Sequence, residues 1–452
     1  MDFTAVVMAA GQGTRMRSRK PKVLHEVCGL PMVTWPVNAA LDAGAKNVIV
    51  VVSPDQDLSD ALPDGVATAV QPQPDGTGGA LAAALEAVND DAIVVLSGDV
   101  PLVSADEIAA LVAEHADARA GATMLTTELD DPAGYGRVVR DADGRVQRVA
   151  ETKAAGDATA DELAITEINT GIFCFDTAAV RAAMERVGTD NAQGERYLPD
   201  VLPLIDRVGA RKIEDAAVVA GVNDRAQLAT VRAEAQRRIL HAHMVGGVTI
   251  VDPATTLIDA NVTIGPDTTI EPSTCLRGAT AIGENATIGP NTTILDARIG
   301  DDVTVRHSYV DRAILDAGAT VGPFAYLRPD AHLHEGAKAG TFVEIKNSEI
   351  GKGTKVPHLS YIGDADIGAR SNMGAGTITA NYDGVNKHRT TIGSEVKSGV
   401  DVSFVAPVEV GDNAWTAAGS IITKDVPPGA LGVARERQTN VPGYDERAKN
   451  DK

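Results

Sequence analysis

The sequence predicts two folds in one chain: an α/β domain with a mainly parallel sheet, followed by a parallel β-helix. Three observations predict this. The first half alternates short apolar runs with Ala/Leu-rich helical segments. The second half repeats an aliphatic residue every six positions. Between them, Leu228, Val231, Ala235 and Ile239 fall at steps of 3, 4 and 4, on one face of a helix.

Each element follows from local chemistry. "FTAVVMAA", "NVIVVVS" (47–53) and "AIVVLSG" (92–98) are unbroken apolar runs, as strands buried on both faces require. "ALAAALEAV" (80–88) supplies helical character between two of them. Helices alternating with buried strands indicate an α/β domain over residues 1–225. Asp224 with Gln227 makes a capping pair and Gly246-Gly247 a stop, so residues 226–246 read as a linker helix.

From 247 to 452 the period is six. Ile264, Ile270, Leu276, Ile282, Ile288 and Ile294 form one series; Leu315, Val321, Leu327, Leu333, Ala339 and Ile345 a second. A third runs Ile392, Ser398, Phe404, Val410, Thr416 and Ile422. "IGENAT" and "IGPNTT" show the form: an aliphatic residue, Gly next, and a small residue four places on. Each hexapeptide makes one flat side and its aliphatic residue fills a narrow axis, where large aromatics are not expected. Only 3% of the chain is aromatic. "TANYDGVNKHRTT" interrupts the repeat between Ile378 and Ile392. It reads either as a functional loop extruded from the solenoid or as a tolerated insertion. The polar residues after Gly443 read as a mobile tail.

Composition narrows the function. The 452 residues carry 62 Asp+Glu against 41 Lys+Arg, a net charge of −21, which argues against general nucleic-acid binding. No apolar stretch approaches the roughly 20 residues that span a bilayer, so no membrane partner is expected. Cys28, Cys174 and Cys275 are odd in number and widely spaced, and the start lacks a basic segment before its apolar run. These features predict a cytoplasmic protein.

Against this acidity, "GQGTRMRSRKPK" concentrates Arg15, Arg17, Arg19, Lys20 and Lys22 just after the first strand. It lacks the third glycine of GxGxxG and the Gly-Lys-Ser/Thr ending of a P-loop. Its physics is similar: Gly11 and Gly13 let backbone N–H groups approach a ligand, and Arg15 and Lys22 meet phosphate charge. A solvated basic turn is the alternative. Asp99, in "SGDVPL", follows strand 92–97 at the carboxyl end, where open α/β sheets bind ligands. It reads as a helix N-cap or as a magnesium ligand between nucleotide phosphates. In the second half the candidate general bases are His332, His334 and His358. The first two flank Leu333 and read as outward, solvated side chains.

"AAGQGTRMRSRKPKVL", "GTGGA", "SGDVPL", "GYGRV", "AETKAA", "EINTGIF" and "GVNDRAQL" occur in this order before the hexapeptide array. Together they closely resemble the bacterial bifunctional GlmU family, over nearly the whole chain. In that family an N-acetylglucosamine-1-phosphate uridyltransferase is joined to a glucosamine-1-phosphate acetyltransferase. The resemblance implies a Rossmann-like nucleotidyltransferase domain and a left-handed parallel β-helix. It implies that Met8, Ala9, Ala10, Gly11 and Lys22 contact UTP or the nucleotide sugar, with Arg15 on the phosphates. Gln71, Gly76 and Thr77 match the uracil-binding segment, and Ser97 and Gly98 continue the pocket. Gly136, Glu151 and Asn169 match positions that hold N-acetylglucosamine, although Gly136 also suits a turn and Asn169 a strand end. Asp99 and Asn223 match ligands of Mg2+.

For acetyl transfer the resemblance makes His358, in "VPHLSYIGD", the base. Arg328 and Lys346 would hold the sugar phosphate, and Tyr361, Asn372 and Lys387 the hexosamine. Ala375, Asn381, Tyr382, Ala418 and Arg435 match acetyl-CoA positions. Val400 stands where the family has a serine, a loss of about 0.5–1.5 kcal/mol in coenzyme binding; Ser398 and Ser403 are the nearby hydroxyls that could compensate. The implied partners are UTP, glucosamine 1-phosphate and acetyl-CoA, and the implied assembly is a homotrimer with sites between subunits. A nucleotidyltransferase whose β-helix only oligomerises is disfavoured by His358, Asn381, Tyr382 and Lys387. A non-catalytic scaffold is disfavoured by Lys22, Asp99 and Asn223.

Overall fold

In the computed structural model, which describes residues 1–152, 157–189 and 194–445, contacts divide the chain into two units, Met1–Ala235 and Gln236–Lys452. Lys153 to Ala155 of the "AETKAA" motif and the tail beyond 445 lie outside the described residues.

The first unit is built on a sheet whose main path runs Val208–Ile213, Ala122–Glu128, Glu167–Asp176, Ala92–Ser97, Phe3–Met8, Asn47–Val52, Ala67–Val70. The predicted apolar runs are its central strands, and their lack of alternation has a direct cause. Ala5, Val7, Val50 and Val94 enter one core, whereas Val6, Ile49, Val51 and Val95 enter the other. Helices Thr34–Asp42 and Ala105–Ala118 contribute Val37, Ile108 and Leu111 to the first core. Helices Gly76–Leu85 and Thr177–Met184 contribute Leu81, Ala84 and Val180 to the second. Burying each Val, Leu or Ile stabilises the sandwich by about 1.5–3 kcal/mol before entropy.

The sheet is more mixed than expected. Phe3–Met8 pairs parallel with both neighbours, but Glu167–Asp176 runs antiparallel to Ala92–Ser97 and to Ala122–Glu128. Its connection supplies the reason. The hairpin Arg137–Arg140/Val146–Ala150 and one helical turn, Ala160–Leu163, precede it in place of a long crossover helix.

The helix Arg225–Val245 begins as predicted: Asp224 Oδ1 accepts from the Gln227 amide at 2.8 Å. Leu228, Val231 and Ala235 are buried, and Gly247 ends the segment with φ of 97°. Ile239 is only partly buried; its neighbour Leu240 takes the core position.

The second unit coils through three parallel sheets. Thr269 pairs with Thr287 and Thr293 lies beyond a turn on the next sheet, so three hexapeptides close one 18-residue coil. Ile270, Leu276, Ile288, Ile294, Leu327 and Ile345 are fully buried on its axis. The small residue four places on is buried too, and its hydroxyl ties down the corner: Thr268 Oγ1 donates to Gly283 O at 2.9 Å, and Thr274 Oγ1 to Glu271 O at 2.7 Å. One expectation fails here. Phe404 is fully buried on the axis, where the smaller Ser398 and Thr416 occupy other inward positions of the same series. Near the loop the coil lengthens: Glu349 pairs with Asp366, 17 residues on, but Asp366 pairs with Thr391, 25 on. Among the described residues no helix is long and apolar enough to cross a membrane.

Candidate functional site

A cavity of about 400 Å³ opens at the carboxyl ends of the central strands of the first unit. It lies where the chain order reverses around Phe3–Met8, the switch point at which such sheets bind ligands. Met8, Ala9, Ala10 and Gly11 form one wall, and Gln71, Gly76 and Thr77 another. Ser97 and Asp99 line the floor, with the Gly98 amide donating to Met8 O at 2.9 Å. These walls are held firmly. Gln71 Nε2 donates to Asp75 Oδ1 at 2.8 Å and to Gly76 O at 3.1 Å. Thr77 Oγ1 accepts from the Leu198 amide at 2.9 Å. Gln12, Pro74 and Glu195 also line the cavity, and the sequence reading missed them. Gln12 stood inside the quoted glycine segment; Glu195 lies far along the chain with no motif to mark it.

Two glycines of this segment differ in what they do. A Cβ on Gly11 would meet nothing within 4 Å, so its absence leaves an open approach to the backbone. Gly13 adopts φ of 61°, and a Cβ there would overlap Lys22 Cβ. The turn therefore seats Lys22 against the cavity, where its ammonium pairs with Asp99 Oδ2. Asp99 does not cap a helix; Ser104 does, accepting from the Glu107 amide at 3.2 Å. Arg15 lies outside the cavity lining, in a separate hollow with Thr14, Arg17 and Asp224. Its guanidinium donates to Asn223 Oδ1 at 2.8 Å. The Val222 amide donates to Asp99 O at 2.9 Å, which sets Asn223 one residue from that contact. Carboxylate and carboxamide oxygens are the hard donors Mg2+ prefers. Each already has a cation beside it, Lys22 or Arg15, so the donor set fits a divalent ion.

The expected sugar positions come together beside a strand bulge. The Asn169 amide donates to Gly136 O at 2.9 Å. A Cβ on Gly136 would stand 2.6 Å from Val149 Cγ1 and 3.5 Å from Glu151 Oε1, so glycine serves close packing here; it directly precedes Arg137–Arg140 without a positive φ and is not a turn glycine. Asn169 Oδ1 accepts from the Gly171 amide at 3.0 Å, where the strand register shifts.

In the second unit the expected residues gather around a carboxylate the sequence reading left out. Asp364 is buried, and its Oδ1 accepts from Asn347 Nδ2 at 2.6 Å and faces Lys346 Nζ at 3.5 Å. Its Oδ2 accepts from Asn381 Nδ2. Burial pushes its pKa up, but the Asn347 and Asn381 hydrogen bonds and Lys346 together hold it below the usual carboxylate range. The Asp of "YIGD" was the available signal. Arg328 donates to Glu344 Oε1 at 2.9 Å, a bond that raises the guanidinium pKa. Tyr361 pairs in register with Glu344, and its phenol folds over Gly363, where a Cβ would overlap the hydroxyl. His358 is exposed at the end of Lys355–His358, in register with Thr341; its carbonyl accepts from Ser360 Oγ at 2.7 Å.

The extruded loop is internally braced. Asp383 Oδ1 accepts from the Val385 and Asn386 amides at 2.8 and 2.7 Å, and Oδ2 faces His388 Nε2 at 2.7 Å. Those bonds, the Asn386 amide first, bring the Asp383 pKa down to about 2. Tyr382 and Lys387 bridge across the loop and are both exposed. Asn372 bridges Lys355 and Lys397 at one corner. Ala375 O accepts from the Asp401 amide, and Val400 O from the Gly419 amide next to Ala418. Val400 is half exposed, and Arg435 is exposed beyond the last strand. Ser398 cannot replace the hydroxyl missing at Val400, because it points into the axis and donates to Gly399 O at 2.9 Å. His332 and His334 differ from expectation: they are not free in solvent but share Asp316 and Glu349.

Comparison with known proteins matches both units. A MobA-like NTP transferase domain model matches residues 5–165, and a bacterial transferase hexapeptide model, six repeats long, matches 261–296. Nucleotidyltransferase and acyltransferase folds thus make a two-part transferase. The chain is 49% identical to the bifunctional protein GlmU of Mycobacterium avium (strain 104), over 99% of this chain and 94% of that protein. It is 46% identical to the GlmU of Mycobacterium tuberculosis (strain CDC 1551 / Oshkosh) over 99% and 93%, and 47% to that of Mycolicibacterium vanbaalenii over 99% and 94%. The chain belongs to the bifunctional GlmU family. It is an enzyme of UDP-N-acetylglucosamine synthesis with a uridyltransferase half and an acetyltransferase half.

Proposed function

We propose that the two units divide the chemistry between the residues described above. In the second unit the amine of glucosamine 1-phosphate attacks the thioester carbonyl of acetyl-CoA; a C–N bond forms and the C–S bond breaks. His358 takes the amine proton and coenzyme A leaves as the thiol. Histidine suits this role because its ordinary pKa lies near 6.5. Arg328 and Lys346 hold the sugar phosphate, with Tyr361, Asn372 and Lys387 on the hexosamine. Asn381 and Tyr382 bring the loop to acetyl-CoA, joined by Ala375, Val400, Ala418 and Arg435. The exposure of His358 and the loop supports a site completed by a neighbouring subunit of a homotrimer.

In the first unit the phosphate of N-acetylglucosamine 1-phosphate attacks the α-phosphorus of UTP, and the bond to pyrophosphate breaks. The nucleophile is already an anion, so no general base is required. Positioning and charge neutralisation are what the site must supply. Lys22 and Arg15 leave Asp99 and Asn223 to meet the triphosphate. Held by Asp99 and Asn223, Mg2+ would add charge neutralisation on the phosphates. Gly136, Glu151 and Asn169 orient the acetylated sugar. The enzyme works in the cytoplasm and supplies peptidoglycan and other envelope precursors.

The observation that carries this reading is the closure of Lys22 onto Asp99 in a cavity at the sheet's switch point. The purified chain tests it. Glucosamine 1-phosphate and acetyl-CoA should release thiol, and subsequent UTP with Mg2+ should release pyrophosphate. Thiol without pyrophosphate, or no thiol at all, contradicts the reading. Sedimentation should give a trimer.

A further inference from the structure

The second unit carries a cluster that neither transferase step uses. Asp316, His332, His334 and Glu349 lie on three successive coils of one sheet, where Ile314 pairs with His332 and His332 with Glu349. Ladder bonds fix their backbones: the Asp316 amide donates to Leu333 O at 2.8 Å and the His334 amide to Ile350 O at 2.9 Å. Asp316 Oδ2 stands 3.1 Å from both His332 Nε2 and His334 Nδ1. Glu349 Oε2 stands 3.0 Å from His332 Nδ1 and 2.8 Å from His334 Nε2. The two rings are 3.9 Å apart.

All four ring nitrogens therefore face carboxylate oxygen. A neutral imidazole has one N–H and one lone pair, so each neutral ring turns a lone pair toward a carboxylate. A bound cation removes that repulsion. Asp316, His332 and His334 each offer one donor atom, and these lie within 4.8 Å of one another. A tetrahedral Zn2+ with bonds of roughly 2.0–2.1 Å has its donors about 3.3 Å apart, close to the nitrogen–oxygen spacing here. Imidazole mixed with carboxylate suits Zn2+ and its transition-metal neighbours; Mg2+ prefers oxygen alone. The four side chains are partly exposed, which leaves an entry path and room for a water ligand.

We propose that Asp316, His332 and His334 form a Zn2+ site, with Glu349 holding the rings from their opposite nitrogens, so that three coils of the β-helix are clipped together. Its place in the fold gives it a role beyond stability. Glu349 pairs with Asp366 on the next coil, and Asp366 accepts from Arg389 Nε at 2.6 Å. Arg389 ends the extruded loop, so the clip rigidifies the coil that anchors that loop.

The test uses the full chain, stripped with a chelator and titrated with Zn2+ alone against a chromophoric competitor. One equivalent per chain should bind, and Co2+ in its place should give the visible d–d absorption of a low-coordinate nitrogen/oxygen site. H332Q/H334Q should lose that spectrum, whereas E349Q should bind roughly 10–100-fold more weakly. Zn2+ should raise the melting temperature of the wild type and not of H332Q/H334Q. Thiol release that persists in H332Q/H334Q, at a raised KM for acetyl-CoA, together with wild-type pyrophosphate release, establishes that the variant is folded. Failure of the wild type to bind stoichiometric Zn2+, or unchanged binding by H332Q/H334Q, overturns the site whatever the transferase assays give.

Discussion

Lys22 and Asp364 each hold a site together, from opposite sides of the charge balance. Lys22 is largely buried against Asp99, so removing it takes a cation from the proposed phosphate site and leaves an unpaired carboxylate in its place. K22A should lower kcat/KM for pyrophosphate release roughly 10²–10³-fold, the usual loss when a charge-stabilising donor is removed. Thiol release by the same variant should be unchanged. Asp364 accepts from two amides and faces Lys346. D364A should cost about 2–3 kcal/mol of stability, in the range for charged hydrogen bonds, and should depress acetyl transfer as Lys346 and Asn381 lose their anchor. Its pH dependence has a definite sign. The folded-state pKa lies below the ordinary aspartate range. The Asp364 contribution is thus complete above that range and is lost as pH falls through the depressed folded-state pKa. Thermal melts should show wild type and D364A converging below pH 4.

At the scale of elements, the loop between Ile378 and Ile392 shows how an interruption of a repeat becomes ordered. Asp383 binds two amides of its own turn and His388, while Arg389 ties the loop's end to Asp366 and to Asn347 O at 3.1 Å. D383A should free the turn and raise KM for acetyl-CoA several-fold, with a smaller fall in kcat, as loops that close on substrate do. Uridylyl transfer should not respond. Elements were legible where one period ruled. The hexapeptides declared themselves because every side of the coil solves one packing problem with one aliphatic residue. Phe404 escaped the rule beside the small Thr379, with which it pairs in register on one side, while Ile422 pairs with it on the other. The antiparallel strand Glu167–Asp176 was not legible, since strand direction depends on the connection and a buried run reads the same either way. Asp364 was hidden for a related reason: a carboxylate matters through partners 17 residues before and after it, one coil away.

For the whole molecule, net acidity makes each local cluster of opposite character informative. Five cations within eight positions in a chain of charge −21 flagged the first site before any fold was known. Lys22 turned to the cavity; Arg15 turned to Asn223, a pairing across 208 residues that no local pattern contains. Each half has its own core and its own set of candidate side chains. The central claim is that these sets act independently. Its most direct measurement is paired assays on H358A: thiol release should vanish while pyrophosphate release from UTP and N-acetylglucosamine 1-phosphate stays at the wild-type rate. Parallel loss of both activities in folded H358A, or persistence of thiol release, would contradict it.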